Sequence, residues 1–136
     1  MRLARTGKRR VQRRREIEPF ARAEIDLLAR ELGPLYGPMV LFAAETGLRP
    51  GELAALEWRD VDGNAAVVSV RRVFAGGRVK EPKTERSRRR VPLTARATAA
   101  LDAVPRRIDT RLVFASPSGR VIDMHNFARR EWAFRP

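Results

Sequence analysis

Two groups of residues in this sequence have types and spacing suited to chemistry. The first surrounds Arg49 in the run Thr46-Gly47-Leu48-Arg49-Pro50-Gly51-Glu52-Leu53-Ala54-Ala55-Leu56-Glu57-Trp58. Gly47 reads as a tight turn and Pro50 suits the first position of a short helix. Leu53 and Leu56 would face a core, and Glu52 stands where a helix start favours an acid. Arg49 breaks this pattern: it is a cation at the positive end of the helix dipole, in a cap position that prefers Ser, Thr, Asp or Asn. Two readings stand, an anion held between the guanidinium and the helix terminus, or an exposed arginine snorkelling at a turn. The second group is a basic segment, where Arg71, Arg72, Arg78, Lys80, Lys83, Arg86, Arg88, Arg89 and Arg90 face only Glu81 and Glu85, nine cations against two acids and a net +7. Cations fixed on a hairpin favour a shaped contact with a duplex over loose attraction.

The elements that must position these groups follow from hydrophobic periodicity and turn chemistry. Pro19 opens a helix with Ala21, Ile25, Leu28 and Leu32 on one stripe, and Gly33-Pro34 stops it. A second helix over 36–45 carries Met39, Val40, Phe42 and Ala43 and is apolar around much of its circumference, which places it centrally. After the Arg49 helix and the turn-rich 59–64, residues 65–74 are β-branched and strand-like. Gly76-Gly77 turns into a second strand at 78–80, and 88–93 forms a third, so a three-stranded antiparallel meander is expected. Thr94 caps a helix with Ala97 and Leu101 inward, and Asp123 caps a last helix with Met124, Phe127, Ala128 and Trp132. The fold class is therefore α+β, mainly α with a small three-stranded antiparallel β-sheet.

Composition narrows the function classes. The 136 residues fit one domain, and 29 Lys and Arg against 16 Asp and Glu give a net charge of +13. A surplus of this size points to a polyanionic partner, most simply nucleic acid. With no cysteine and one histidine, disulfides, thiolate chemistry and a zinc or iron site are not expected, so no metal and no cofactor is assigned. No apolar run is long enough to span a membrane, and the N-terminus lacks a secretion signal, so a cytoplasmic location is expected. Residues 1–15 hold eight Lys or Arg and no acid. Such a segment is expected to be disordered when free, either lying along a phosphate backbone or serving as a solvated linker.

The Arg49 run, continued by Leu56, Trp58 and Asp60-Val61-Asp62, resembles the first conserved box of the tyrosine recombinase (phage integrase) family. Lys83-Thr84-Glu85-Arg86-Ser87-Arg88-Arg89-Arg90-Val91-Pro92-Leu93 is similar to that family's β-hairpin lysine segment, at the expected distance downstream. Arg111-Leu112-Val113-Phe114 and the segment from His125 to Trp132 resemble the connecting region that follows. The resemblance implies part of an integrase-type catalytic domain, the DNA breaking-rejoining fold, over 19–136, with 1–18 as a basic tail or linker remnant. It also implies metal-independent transesterification, in which a tyrosine attacks a phosphodiester and leaves a 3′-phosphotyrosyl link. Arg49 would grip the scissile phosphate, Glu52 would support Arg49, and Lys83 would protonate the departing 5′-oxygen. The remaining cations of 71–90 would bind double-stranded DNA, with other recombinase subunits as further partners.

The family's His-x-x-Arg box and nucleophilic tyrosine are expected beyond residue 136. His125 has Ala128 three residues later and reads as a surface histidine, and Tyr36 precedes the arginine box and reads as a core residue. The expectation is a truncated recombinase, inactive alone, associated with the bacterial nucleoid. A non-catalytic module that occupies recombination sites or partners a recombinase is the alternative, and a basic RNA-binding protein a third.

Overall fold

The computed structural model describes the backbone of residues 2–81 and 88–124, with side chains from residue 22 onward in those ranges. Lys83, Arg86, His125 and the helix expected after Asp123, with Phe127, Ala128 and Trp132, lie outside the described residues. Helix α1 (Arg2–Thr46) is broken at Gly33, whose φ of 86° and ψ of −175° are open almost only to glycine. The stop read at Gly33-Pro34 is thus present. Helical backbone starts at Arg2, inside the segment expected to be disordered when free; arginine, alanine and leucine are good helix formers. Beyond the break the chain folds back so closely that a Cβ on Gly37 would lie 2.3 Å from the Ala29 carbonyl oxygen. Only glycine permits that approach.

Gly47, at a φ of 72°, ends α1, and its N–H donates to the Ala43 carbonyl. Helix α2 (Pro50–Ala54) follows, then a 3-10 turn at Trp58–Asp60. Strands β1 (Val61–Asp62), β2 (Val67–Val70), β3 (Val73–Ala75), β4 (Arg78–Lys80) and β5 (Arg89–Pro92) precede helix α3 (Ala95–Ala103). Thr94 caps α3, its hydroxyl oxygen accepting from the Ala97 N–H at 3.1 Å. Arg96 on α3 reaches Asp26 and Glu45 on α1, which ties the two helices at the surface.

The expected meander is corrected. The three-stranded antiparallel sheet has the order β1-β2-β5, and β3 and β4 form a separate hairpin. Residues 65–74 do not make one strand, because the pairing of β2 with β5 ends at Val70↔Arg89 and a new strand starts at Val73. Alternation along β2 puts Val68 and Val70 inward, so the next inward residue is Arg72. A guanidinium cannot join that apolar face, and it turns onto Asp60 instead. The strand breaks there.

Met39 and Phe42 of α1, Leu48, Leu53, Leu56, Val68 and Val70 of β2, α3 and the segment of Val113 and Phe114 share one core. Tyr36 packs half-buried against it, as expected of a core tyrosine. The apolar piece at 112–114 runs alongside the end of α2, with Val113 N–H donating to Leu56 O and Trp58 N–H to Arg111 O.

Candidate functional site

Arg49 sits in extended conformation at the cap of α2, with its side chain 71% exposed. Its N–H donates to Glu52 Oε1 at 2.8 Å, closing the helix start as a capping carboxylate does. The Glu52 side chain is buried and also receives two bonds from Arg89, from Nη1 at 2.9 Å and from Nη2 at 3.1 Å. The Arg49 Nη1 stands 3.7 Å from the same carboxylate. Burial pushes the Glu52 carboxyl upward, but the bonds from Arg89 and from the Arg49 N–H, with the charge of both arginines, outweigh it and hold it below its ordinary 4.5. Glu52 therefore stays ionised and links the cap of α2 to β5.

Gly51 fixes how the hairpin approaches this helix. A Cβ there would stand 2.6 Å from Phe74 O and 2.8 Å from Val73 Cγ2, so β3 lies directly over the start of α2. Because the nearer obstacle is backbone, Gly51→Ala must displace the hairpin or the helix. We expect a loss of about 1–3 kcal/mol, typical of overpacking, read as a lower urea midpoint with an unchanged m-value. A wild-type midpoint would show that the hairpin does not press on Gly51.

A second carboxylate organises the far side. Asp60 is buried, accepts the Glu57 N–H at 2.9 Å, and binds Arg72 Nη2 through both oxygens at 2.6 and 2.7 Å. Arg71 lies 3.8 Å from the same acid but is mostly exposed. Between the three-stranded sheet and β4 opens a cleft of about 1000 Å³. Arg59, Arg71, Arg72, Lys80, Arg88, Arg89 and Arg90 line it, against Asp60, Asp62 and Glu81, so the cleft is strongly positive.

Of the residues singled out in the sequence, Arg71, Arg72, Lys80, Arg88, Arg89 and Arg90 meet in this cleft. Arg78 is exposed on β4 beside it, and Arg49 lies at the cap of α2, joined to the cleft wall through Glu52 and Arg89. Sequence reasoning missed Asp60 as a buried anchor; inside a turn-rich loop it carries no periodic signal. It also missed Arg106, whose guanidinium stacks over the Trp58 ring at 4.1 Å from the centroid. Among the described residues no His, Cys, Asp and Glu cluster could hold a metal ion, and no helix is long and apolar enough to cross a membrane.

Comparison with known proteins places this geometry. The sequence profile of the phage integrase family matches residues 28–131. Prophage integrase IntR of Escherichia coli (strain K12) is 36% identical over 97 residues, which cover 70% of this chain and 24% of that protein. The crystal structure of XerA recombinase superposes with a TM-score of 0.59 at 24% identity, over 80% of this chain and 37% of that one. The Tn1549 transposon integrase in complex with circular intermediate DNA gives 0.58 at 22% identity, over 69% and 35% of the respective chains. The chain thus spans about a quarter of IntR and little more than a third of either solved structure. The α+β arrangement is that of the integrase catalytic domains, and with the profile match over most of its length the chain belongs to the phage integrase, or tyrosine recombinase, family.

Proposed function

We propose that this chain acts on double-stranded DNA in site-specific recombination or DNA integration, contributing the arginine and lysine part of a strand-transfer site. The observation that carries the reading is the exposed Arg49 guanidinium, joined through Glu52 and Arg89 to a cation-lined cleft. In this reading Arg49 binds the non-bridging oxygens of a phosphodiester, where positive charge stabilises the transition state. Glu52 supports Arg49 by holding its N–H. Lys83, in the segment that resembles the family's lysine hairpin, protonates the departing 5′-oxygen. The likeness to an integrase in complex with its DNA supports a duplex as the partner, and other recombinase subunits would supply further contacts. Such a protein works at the nucleoid of a bacterial cell.

One observation favours a second reading for residues 1–136, that of a DNA-occupying module. The single tyrosine in the sequence, Tyr36, is half-buried against the core. Strand cleavage then requires a tyrosine from outside these residues. The test is a salt titration of duplex binding beside incubation with a nicked suicide substrate. We expect binding that weakens with a log–log slope of roughly −0.9 per phosphate neutralised, and no covalent adduct from residues 1–136. Salt-independent or absent binding would refute the DNA reading; a covalent adduct would refute the occupancy-only one; and preference for structured RNA over duplex would support the RNA-binding alternative.

A further inference from the structure

The basic segment looks uniform in sequence, but the structure divides it by where each charge ends. Arg72 and Arg89 turn inward onto buried carboxylates: Arg89 grips Glu52 with both Nη atoms, and Arg72 Nη2 bonds both oxygens of Asp60. Their charges are neutralised within the fold, Arg89 by Glu52 and Arg72 by Asp60 with Glu57 3.6 Å from its Nε. Strand alternation explains why these two and not their neighbours point inward. On β5, Arg89 and Val91 share the core-facing side, and Arg90 takes the opposite side, paired in register with Ser69. Just past the end of β2, Arg72 continues the inward series of Val68 and Val70.

The other cations of the cleft fall into two sets. Arg59 and Arg88 pair at the surface with Glu57 and Glu81. Lys80 and Arg90 have no acidic partner among the described residues, and both are exposed. Arg71 is 65% exposed and reaches Asp60 only at 3.8 Å, where Arg72 and the Glu57 N–H already occupy both oxygens. Among the described residues, Lys80 and Arg90 therefore line the cleft without an acidic partner, and Arg71 is only weakly compensated.

We propose that Arg71, Lys80 and Arg90 form a phosphate-backbone site for duplex DNA in this cleft, while Arg72 and Arg89 are positioning residues that build its walls and touch no phosphate. The proposal rests on the duplex reading above. Counterion release distinguishes the two roles, because only a cation that neutralises a phosphate contributes to the salt dependence of binding. The inward arginines instead join the break between β2 and β3, and the strand β5, to the acids of the Arg49 region.

The experiment is fluorescence anisotropy of a labelled duplex of arbitrary sequence, titrated at several potassium chloride concentrations, with thermal melting of every variant. R71Q, K80Q and R90Q should each reduce the magnitude of the log–log salt slope by roughly 0.9, and the triple variant by about three times that. All should melt with the wild type. R72Q and R89Q should lower the melting temperature and leave the slope unchanged. R72K and R89K, which keep the charge and lose the guanidinium contacts to the buried acids, should also melt early with the wild-type slope. Should the inward variants fail to fold, the triple variant decides. A folded triple variant with the wild-type slope overturns the partition, as does a folded R72Q or R89Q that loses as much slope as R90Q. No binding by the wild-type chain overturns the duplex reading itself.

Discussion

Asp60→Ala is expected to destabilise the chain by about 3–5 kcal/mol, the range for removing one partner of a buried ion pair. The variant leaves Arg72, whose side chain is only 16% exposed, without the carboxylate that binds its Nη2 through both oxygens. It also orphans the Glu57 N–H at the start of the 3-10 turn. Most of the loss comes from desolvated charge left with only the longer contact to Glu57 at 3.6 Å, not from the net strength of the pair. Replacing both members by apolar residues, as in D60L/R72M, should therefore recover most of the stability. Urea denaturation of the two single variants and the double variant gives the coupling directly. Single variants that cost as little as an exposed ion pair, about 0–1 kcal/mol, would show that this carboxylate does not anchor the β2–β3 break.

Several features were legible because local chemistry alone decides them. The turn at Gly47, Pro50 at the head of a helix, Thr94 as a cap and the Gly76-Gly77 hairpin all rest on backbone preferences of single residues. The break at Gly33 did too. Sheet order was not legible, because alternation states which side of a strand is buried and says nothing about which strand lies beside it. β5 could have paired with β4, its neighbour in sequence; it pairs instead with β2, where Val91 stands opposite Val68 over the core. The cations show the same limit. Nine basic residues in the segment 71–90 look alike in a charge count, and only the placement of Asp60 and Glu52 separates those that build the cleft from those that face its interior. Arg49 was legible as a charge in an awkward place. Its connection to Arg89 through Glu52 spans 37 residues from acid to base and needed the fold.

Phe42→Ala is expected to cost about 3–5 kcal/mol, the range for deleting a buried aromatic side chain, and its consequence should reach the Arg49 site. Phe42 is fully buried, and its ring meets Phe114 with centroids 5.5 Å apart and planes tilted by 52°. Such a pair adds roughly 0.5–1.5 kcal/mol beyond the area it buries. Phe114 belongs to the segment bonded to the end of α2 through Val113 and Leu56. The Phe42 carbonyl also accepts from Thr46 Oγ1, which in turn accepts from the Leu48 N–H at the turn before Arg49. The Phe42 ring thus supports the segment beside the exit of α2, and its backbone carbonyl anchors the turn at the entry. Phe42→Leu refills part of the cavity and should cost less than alanine, with duplex affinity following the same order when measured well below each variant's melting temperature. Equal affinity for wild type, leucine and alanine variants, despite graded melting temperatures, would show that the Arg49 turn holds its shape without the core beneath it. A joint loss follows from the side chain alone, because the substitution spares the Phe42 carbonyl but opens a cavity in the core that the ring shares with Leu48 before Arg49 and Leu53 of α2.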